Sequence, residues 1–276
     1  MPRRTERVSD SGPARGAGAA SESHGSALSP PLGHFHELTI PTADIRGSVE
    51  FYERLGFAQA LTGDVWPHPY GVLTDGRLVL GLHQDPLREA SISWVRPETA
   101  RLGAALERQG YVLDYRRTGA EEFHEIGLRD PCGQLLRVLE ARTYSPPANE
   151  AKRSLCGEFS AVALRCADFE SAKRFWEPLG FVGLEARDTP FEHLALTSDH
   201  LDIVLHRVRH LGALALIFTP DDSGESSLAA RIAGLRLAGL EPVARGPGFG
   251  PELDPEMSAL IVAPEGTRLL LLGAEL

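Results

Sequence analysis

The chain repeats itself, and that constrains its fold more than any single motif. Phe51-Tyr-Glu-Arg-Leu-Gly-Phe57 returns 124 residues later as Phe175-Trp-Glu-Pro-Leu-Gly-Phe181, and Asp44 returns at the same offset as Asp168. Leu82-His83 matches Leu205-His206, Leu106 to Gly110 matches Leu235 to Gly239, and Pro131-Cys-Gly133 matches Pro264-Glu-Gly266. Chance explains one such match but not an ordered set, so the chain is read as duplicated units whose neighbours bury each other's apolar faces.

The periodicity within a unit predicts its elements. His34 to Pro41 alternates as a strand does. Asp44 is placed to cap a helix whose apolar residues Ile45, Val49, Tyr52 and Leu55 recur at helical spacing, with Gly56 closing it. Short strands are expected over 57–61, 71–74 and 78–83, the last two turning at Asp75-Gly76. A strand over 91–95 then leads to a helix over 97–109, with Pro97 in its first turn. Strands at 111–115, 124–129 and 135–140 complete a second β-α-β-β-β unit, with Asp130-Pro-Cys-Gly133 as the last turn. Four modules in two pairs follow. The expected organisation is a disordered tail over 1–32, a first domain over 33–143, a linker over 144–156 and a second domain over 157–274. The tail expectation rests on its Ser, Gly, Ala and Pro content, which cannot bury enough surface to offset ordering entropy.

Composition excludes several roles. The net charge is −10, with Lys and Arg scattered among carboxylates, so no nucleic acid is expected as a partner. No apolar run approaches the roughly 18–20 residues needed to span a bilayer, so no membrane role is expected. The N-terminal arginines lack a following apolar stretch, which argues against a secretory signal. Cys132, Cys156 and Cys166 are odd in number and irregular in spacing. They argue against a disulfide framework and fit a reducing cytoplasm.

Two segments carry a family resemblance. Ser48-Val-Glu-Phe-Tyr52 with Leu55-Gly-Phe57, following a strand and an Asp cap, resembles the opening of vicinal-oxygen-chelate domains. Asp130-Pro-Cys-Gly-Gln134 resembles the turn that ends them. The likeness covers roughly residues 34–142 and again 157–273. It implies an α+β fold in which tandem βαβββ modules form two half-open β-cups with flanking helices. Function is less constrained, because the superfamily includes glyoxalase I, extradiol dioxygenases, fosfomycin-modifying enzymes, epimerases and bleomycin-binding proteins.

Metal-dependent members place His, Glu or Gln ligands on the inner strands. Carried over position by position, the resemblance puts Glu37, Ser91 and Arg137 at those places, and a further one near Gly81. The second domain has Ala161, Ala215 and Leu270 instead. A guanidinium repels a divalent ion, so a metal is disfavoured and no cofactor is expected.

Glu37 and Arg137 are expected to pair across the cup. They act either as a structural clamp or as a base with a carboxylate- or enolate-binding cation. His83 shares strand parity with Gly81 and is a candidate base, the other reading being a strand-end histidine bonded to a turn. Trp66, His68 and Tyr70, alternating with Pro67 and Pro69, either wall a ligand pocket or plug the cup. Ser91 is a further candidate ligand contact. Of the neighbours His124 and Glu125, one faces inward and the other outward; alternation does not say which. The Gly-rich run over 245–250 lacks the Lys-Ser/Thr and following helix of a phosphate loop.

Three functional readings follow. The first is metal-free binding of a small organic ligand in the first cup, like the bleomycin resistance branch. The second is a lyase- or isomerase-type enzyme, like lactoylglutathione lyase, using acid-base residues. The third is an extradiol dioxygenase-like enzyme. With four modules, the chain is expected to act as a monomer or a homodimer.

Overall fold

The computed structural model describes residues 32–60, 67–85, 89–143, 154–221, 227–244, 246 and 248–276. The first unit comprises β1 (His34–Pro41), α1 (Ile45–Arg54), β2 (Ala58–Gln59), β3 (Tyr70–Thr74) and β4 (Val79–His83). The second comprises β5 (Ser91–Arg96), α2 (Thr99–Arg108), β6 (Leu113–Arg117), β7 (Glu125–Arg129) and β8 (Leu135–Glu140). They join in one eight-stranded sheet of order β2-β3-β4-β1-β5-β8-β7-β6. The third unit comprises β9 (Glu158–Arg165), α3 (Phe169–Trp176), β10 (Val182–Gly183), β11 (His193–Thr197) and β12 (Ile203–His206). The fourth has β13 (Leu214–Thr219), α4 (Leu228–Leu237), β14 (Ser258–Val262) and β15 (Arg268–Leu272). These form a seven-stranded sheet of order β10-β11-β12-β9-β13-β15-β14. Both sheets are open, as expected of half-open cups.

Among the described residues, the fourth unit is one strand short. Where the second unit has β6, it has a single bridge between Val243 and Leu260. Residues 248–257 then lead into β14 without a strand, and they meet the second cup.

Helix starts follow local chemistry. Asp44 accepts the Gly47 amide at 3.0 Å, and Asp168 accepts the Ser171 amide at 3.0 Å. Helix α2 departs from expectation by starting at Thr99 rather than Pro97. Its cap residue Glu98 has φ +59°, and its free amides are satisfied from a distance. The Glu140 carboxylate accepts Glu98 N at 2.9 Å and Thr99 N at 2.6 Å.

Strand alternation sorts each sheet into two faces. One face of the first sheet presents Leu38, Ile40, Leu80, Leu82, Ile92 and Trp94 to a continuous core. That core also receives Val162, Leu164, Leu216, Phe218 and Leu271 from the second sheet. The two domains therefore share one apolar interior, and the cup faces point away from it. Leu32, expected in the tail, lies in this core at 1% exposure, and Cys156, expected in the linker, is fully buried. The tail before Leu32 and residues 144–153 of the linker lie outside the described residues.

Contacts between the domains follow the repeat. Tyr52 and its counterpart Trp176 each donate to a carboxylate in the other domain's closing turn. Tyr52 Oη bonds Glu265 Oε1 at 2.8 Å, and Trp176 Nε1 bonds Asp130 Oδ2 at 3.3 Å. Cys132 is disulfide-bonded to Cys166 across the same boundary. The expectation against disulfides is thereby corrected, and with it the cysteine argument for a reducing compartment. The pairing was hidden because each cysteine belongs to a different domain. At the repeat-related place, Glu265 stands for Cys132 and Thr42 for Cys166. Ser48 bridges them there, donating to Glu265 Oε2 at 2.8 Å and lying 2.9 Å from Thr42 Oγ1. Among the described residues, no helix is long and apolar enough to cross a membrane.

Candidate functional site

The cup face of the first sheet is polar. Pairing registers place Glu37 opposite Ser93, Ser93 opposite Arg137, and Arg137 opposite Gly127, in one row across β1, β5, β8 and β7. A second row holds Gly81, Thr39 and Ser91, and a third begins with Tyr70 and His83. Glu37, Thr39, His83, Ser91, Ser93 and Arg137 have buried polar side chains, so each needs a partner.

Glu37 is 4% exposed. Thr39 Oγ1 donates to its Oε1 at 3.0 Å, and Ser93 Oγ lies 3.2 Å from Thr39. His83 Nε2 lies 3.5 Å from Oε1, and His36 Nε2 lies 4.0 Å from Oε2. Burial pushes this carboxyl's pKa up, but His83, the charge of His36 and the Thr39 bond outweigh it, and the net shift is downward. Glu37 is therefore held as a carboxylate. Gly81 makes room for it, since a Cβ there would fall 2.5 Å from Glu37 Oε2.

His83 faces the cup at 1% exposure. Its Nδ1 lies 2.8 Å from His68 Nε2, and His68 Nδ1 lies 3.5 Å from Asp85 Oδ2. Tyr70 stacks on His83, with ring centroids 5.7 Å apart and planes 19° apart. His68 and Tyr70 thus gather around His83, and His68 is a hydrogen-bonding link rather than a flat wall. Trp66 lies outside the described residues.

Glu125, not His124, turns inward. Its partner is Arg137, whose Nε donates to Glu125 Oε1 at 2.8 Å. Tyr115 Oη also bonds Glu125, and Arg117 Nη1 lies 3.8 Å from it. The Tyr115 ring lies over Gly127, where a Cβ would collide with it. Burial lowers the Arg137 pKa, but the Glu125 bond and charge outweigh it and raise it. Burial, followed by Glu125, also drives the Tyr115 hydroxyl above its usual range.

Two expectations are corrected here. Glu37 and Arg137 do not pair with each other: Ser93 stands between them in the row, and Glu125 meets Arg137 from the neighbouring β7. His124 is not a cup residue. It lies across the sheet from Glu125, with Nε2 3.2 Å from Gly119 O and Nδ1 3.9 Å from Glu140. Ser91 does lie on the cup face, beside Thr39 and fully buried. Sequence reasoning missed Ser93, Tyr115 and Asp85. Ser93 and Tyr115 keep strand parity with Ser91 and with each other's row, a signal that was present. Asp85 carried no such signal.

The second cup is apolar. Ala161, Ala163, Ile217, Leu260 and Leu270 form its floor, and Phe191, Phe249 and Leu253 pack down on it. Phe249 and Leu253 come from the loop that replaces the missing strand. Wet apolar floor is costly, and burying each such side chain stabilises by about 1.5–3 kcal/mol. A polar floor gains nothing from such a plug.

Comparisons with solved structures fit this architecture. A catechol 2,3-dioxygenase superposes with a TM-score of 0.56 at 16% identity, over 88% of this chain and 89% of that one. Homoprotocatechuate 2,3-dioxygenase from Arthrobacter globiformis gives 0.57 at 17% identity, over 90% and 81%. BphC, a halotolerant catechol dioxygenase, gives 0.52 at 18% identity, over 86% and 85%. The chain has the tandem vicinal-oxygen-chelate fold. No family model matches the sequence, and no curated protein matches it.

The vicinal-oxygen-chelate fold raises the question of a divalent ion, and the residues present do not fit one. In the first cup the Arg137 guanidinium occupies the row where donors would converge, and Ser91 is a weak donor. In the second cup Ala161, Ala215 and Leu270 have no donor atoms. Among the described residues, no group of three or more His, Cys, Asp or Glu side chains is arranged to hold a metal.

Proposed function

We propose that the first cup binds a small organic molecule and moves a proton to or from it, with Glu37 as the base, in a reaction of the lyase or isomerase type. The observation that carries this reading is the buried Glu37 carboxylate, kept ionised and linked through His83 to His68. A structural clamp needs one partner for a buried carboxylate; Glu37 has three, and one of them continues into a second imidazole. Proton transfer by a positioned side chain is worth roughly 10²–10⁴ in rate. The Arg137–Glu125–Tyr115 group supplies polar contacts with its charges already balanced, which suits an uncharged or weakly charged ligand. Ser91 and Ser93 add hydroxyls along the floor. The chain is read as sufficient by itself, since the second domain covers the core face of the first.

The test is a thermal-shift screen with 2-oxo acids and aromatic compounds, followed by Glu37→Gln. A ligand at 100 times its Kd stabilises the folded state by about 2.7 kcal/mol. A hit should be altered on incubation with wild-type protein and recovered unchanged with Glu37→Gln. Recovery unchanged from both proteins points instead to binding without reaction, as in the bleomycin-binding branch. One tightly bound divalent ion per purified chain, by elemental analysis, would overturn the metal-free reading altogether.

A further inference from the structure

We propose that Asp85 and His68 form a proton path from solvent to Glu37, running through His83; the proposal rests on the reading of Glu37 as the acid-base group. A base that cycles must exchange its proton with water. Glu37 exchanges poorly by itself, because its side chain is 5% exposed and packed over Gly81. Asp85 can, since its side chain is 28% exposed; exposure then falls to 13% at His68 and 1% at His83. The four groups thus run in one line from water to the interior.

Donor and acceptor accounting gives the line a direction. The central contact, His68 Nε2 to His83 Nδ1 at 2.8 Å, is a formed hydrogen bond. The two flanking contacts are 3.5 Å each, and a shift of roughly half an ångström closes them. With Glu37 ionised, His83 carries its proton on Nε2 and accepts on Nδ1. His68 then donates from Nε2, leaving Nδ1 toward Asp85. Transfer proceeds by three balanced exchanges. An O–H bond of a hydronium at Asp85 breaks, leaving water, as an N–H bond forms at His68 Nδ1. The His68 Nε2–H breaks as His83 Nδ1–H forms, and the His83 Nε2–H breaks as an O–H forms on Glu37 Oε1. Return of the proton by the same route restores both tautomers. The groups around the path are Tyr70, stacked on His83, and Thr39 and His36, which hold Glu37.

The repeat shows that the fold alone does not demand this line. At the matching positions the second domain has Ala161 for Glu37, Phe191 for His68 and His206 for His83. Among the described residues, neither ring nitrogen of His206 has a side-chain hydrogen-bond partner. One histidine was kept in each domain, but its neighbours on both sides are present only in the first.

The experiment measures exchange of the His83 ring proton with water, by NMR on the full chain labelled with ¹⁵N-histidine and with no ligand added. His68→Phe, which copies the second domain, should slow exchange by about a hundredfold, the lower end of what a positioned proton carrier contributes. Asp85→Asn should slow it by a smaller factor while leaving the ring contacts in place. Exchange that is unchanged or faster in His68→Phe would overturn the path, because loosened packing speeds exchange whereas a broken path slows it. If His68→Phe fails to fold, Asp85→Asn and His68→Gln decide by the same criterion. Slowed exchange together with an empty ligand screen would leave the path standing and remove the proposed function; the reverse pair of results would do the opposite.

Discussion

His83 and His206 occupy the same place in the two domains, yet their chemistry differs completely. Each ends the fourth strand of its unit, faces its cup and pairs across the hairpin, with Tyr70 or with His193. His83 sits between a carboxylate and a second imidazole. His206 sits against Phe191, whose ring centroid is 6.3 Å away, over an alanine floor. Burial, followed by the charge of Arg165, depresses the His206 pKa to about 4. The backbone therefore presents a histidine in both cups, and the neighbouring side chains decide whether it can handle a proton. The same exchange appears at Gly81, which leaves room for Glu37, and at its counterpart Val204, which fills the space beside the second floor's alanines.

The largest effect that sharpens this contrast lies in the charged row. Arg137→Leu gives the first cup the second cup's leucine and leaves Glu125 buried without its cation. Denaturant unfolding should show a loss of about 3–5 kcal/mol. The double variant Arg137→Leu/Glu125→Leu should recover most of it, because matched apolar groups carry no stranded charge. An equal loss in both variants would mean that packing, not charge, makes the two cups different.

A smaller effect is expected from His206. In the unfolded chain it titrates near 6.5, and in the folded protein near 4. Below 6.5 the unfolded state binds a proton that the folded state refuses, so stability falls with falling pH and stops falling near 4. The loss is about 3 kcal/mol over that window. His206→Leu should abolish this part of the pH dependence when unfolding is followed from pH 7 to pH 4. Persistence of the full slope in that variant would locate it in other groups.

The smallest effect tests where the domains agree. Asp44 and Asp168 cap their helices at the same distance, so Asp44→Ala and Asp168→Ala should each cost about 1 kcal/mol. A large inequality between them would show that the domains differ at the helices as well as in the cups.

Much of the site was visible along the chain because strand alternation has a period of two. The family resemblance put Glu37, Ser91 and Arg137 at cup positions, parity with Gly81 added His83, and all four lie on one face. Parity could not choose between His124 and Glu125, since the strand's start was uncertain by one residue. Nor could it choose partners. Arg137 has carboxylates within reach on more than one strand, and only the sheet order, with β5 between β1 and β8 and β7 beside β8, gives it to Glu125 rather than Glu37.

By itself the sequence determined the repeat, the α+β fold with its tandem open sheets, the capped helices and the apolar character of the second cup's floor. These are local patterns, matches between two stretches of one chain, or positions that the family resemblance carries over. Tertiary structure alone decided the contacts made between distant segments: the Cys132–Cys166 link across the domains, the Arg137–Glu125 pair, the plug of Phe249 and Leu253, and the line from Asp85 to Glu37. Each depends on where separate elements come to rest against one another. A one-dimensional pattern does not contain that information, because a side chain's partners are set by distance in space and its charge by the burial that folding creates.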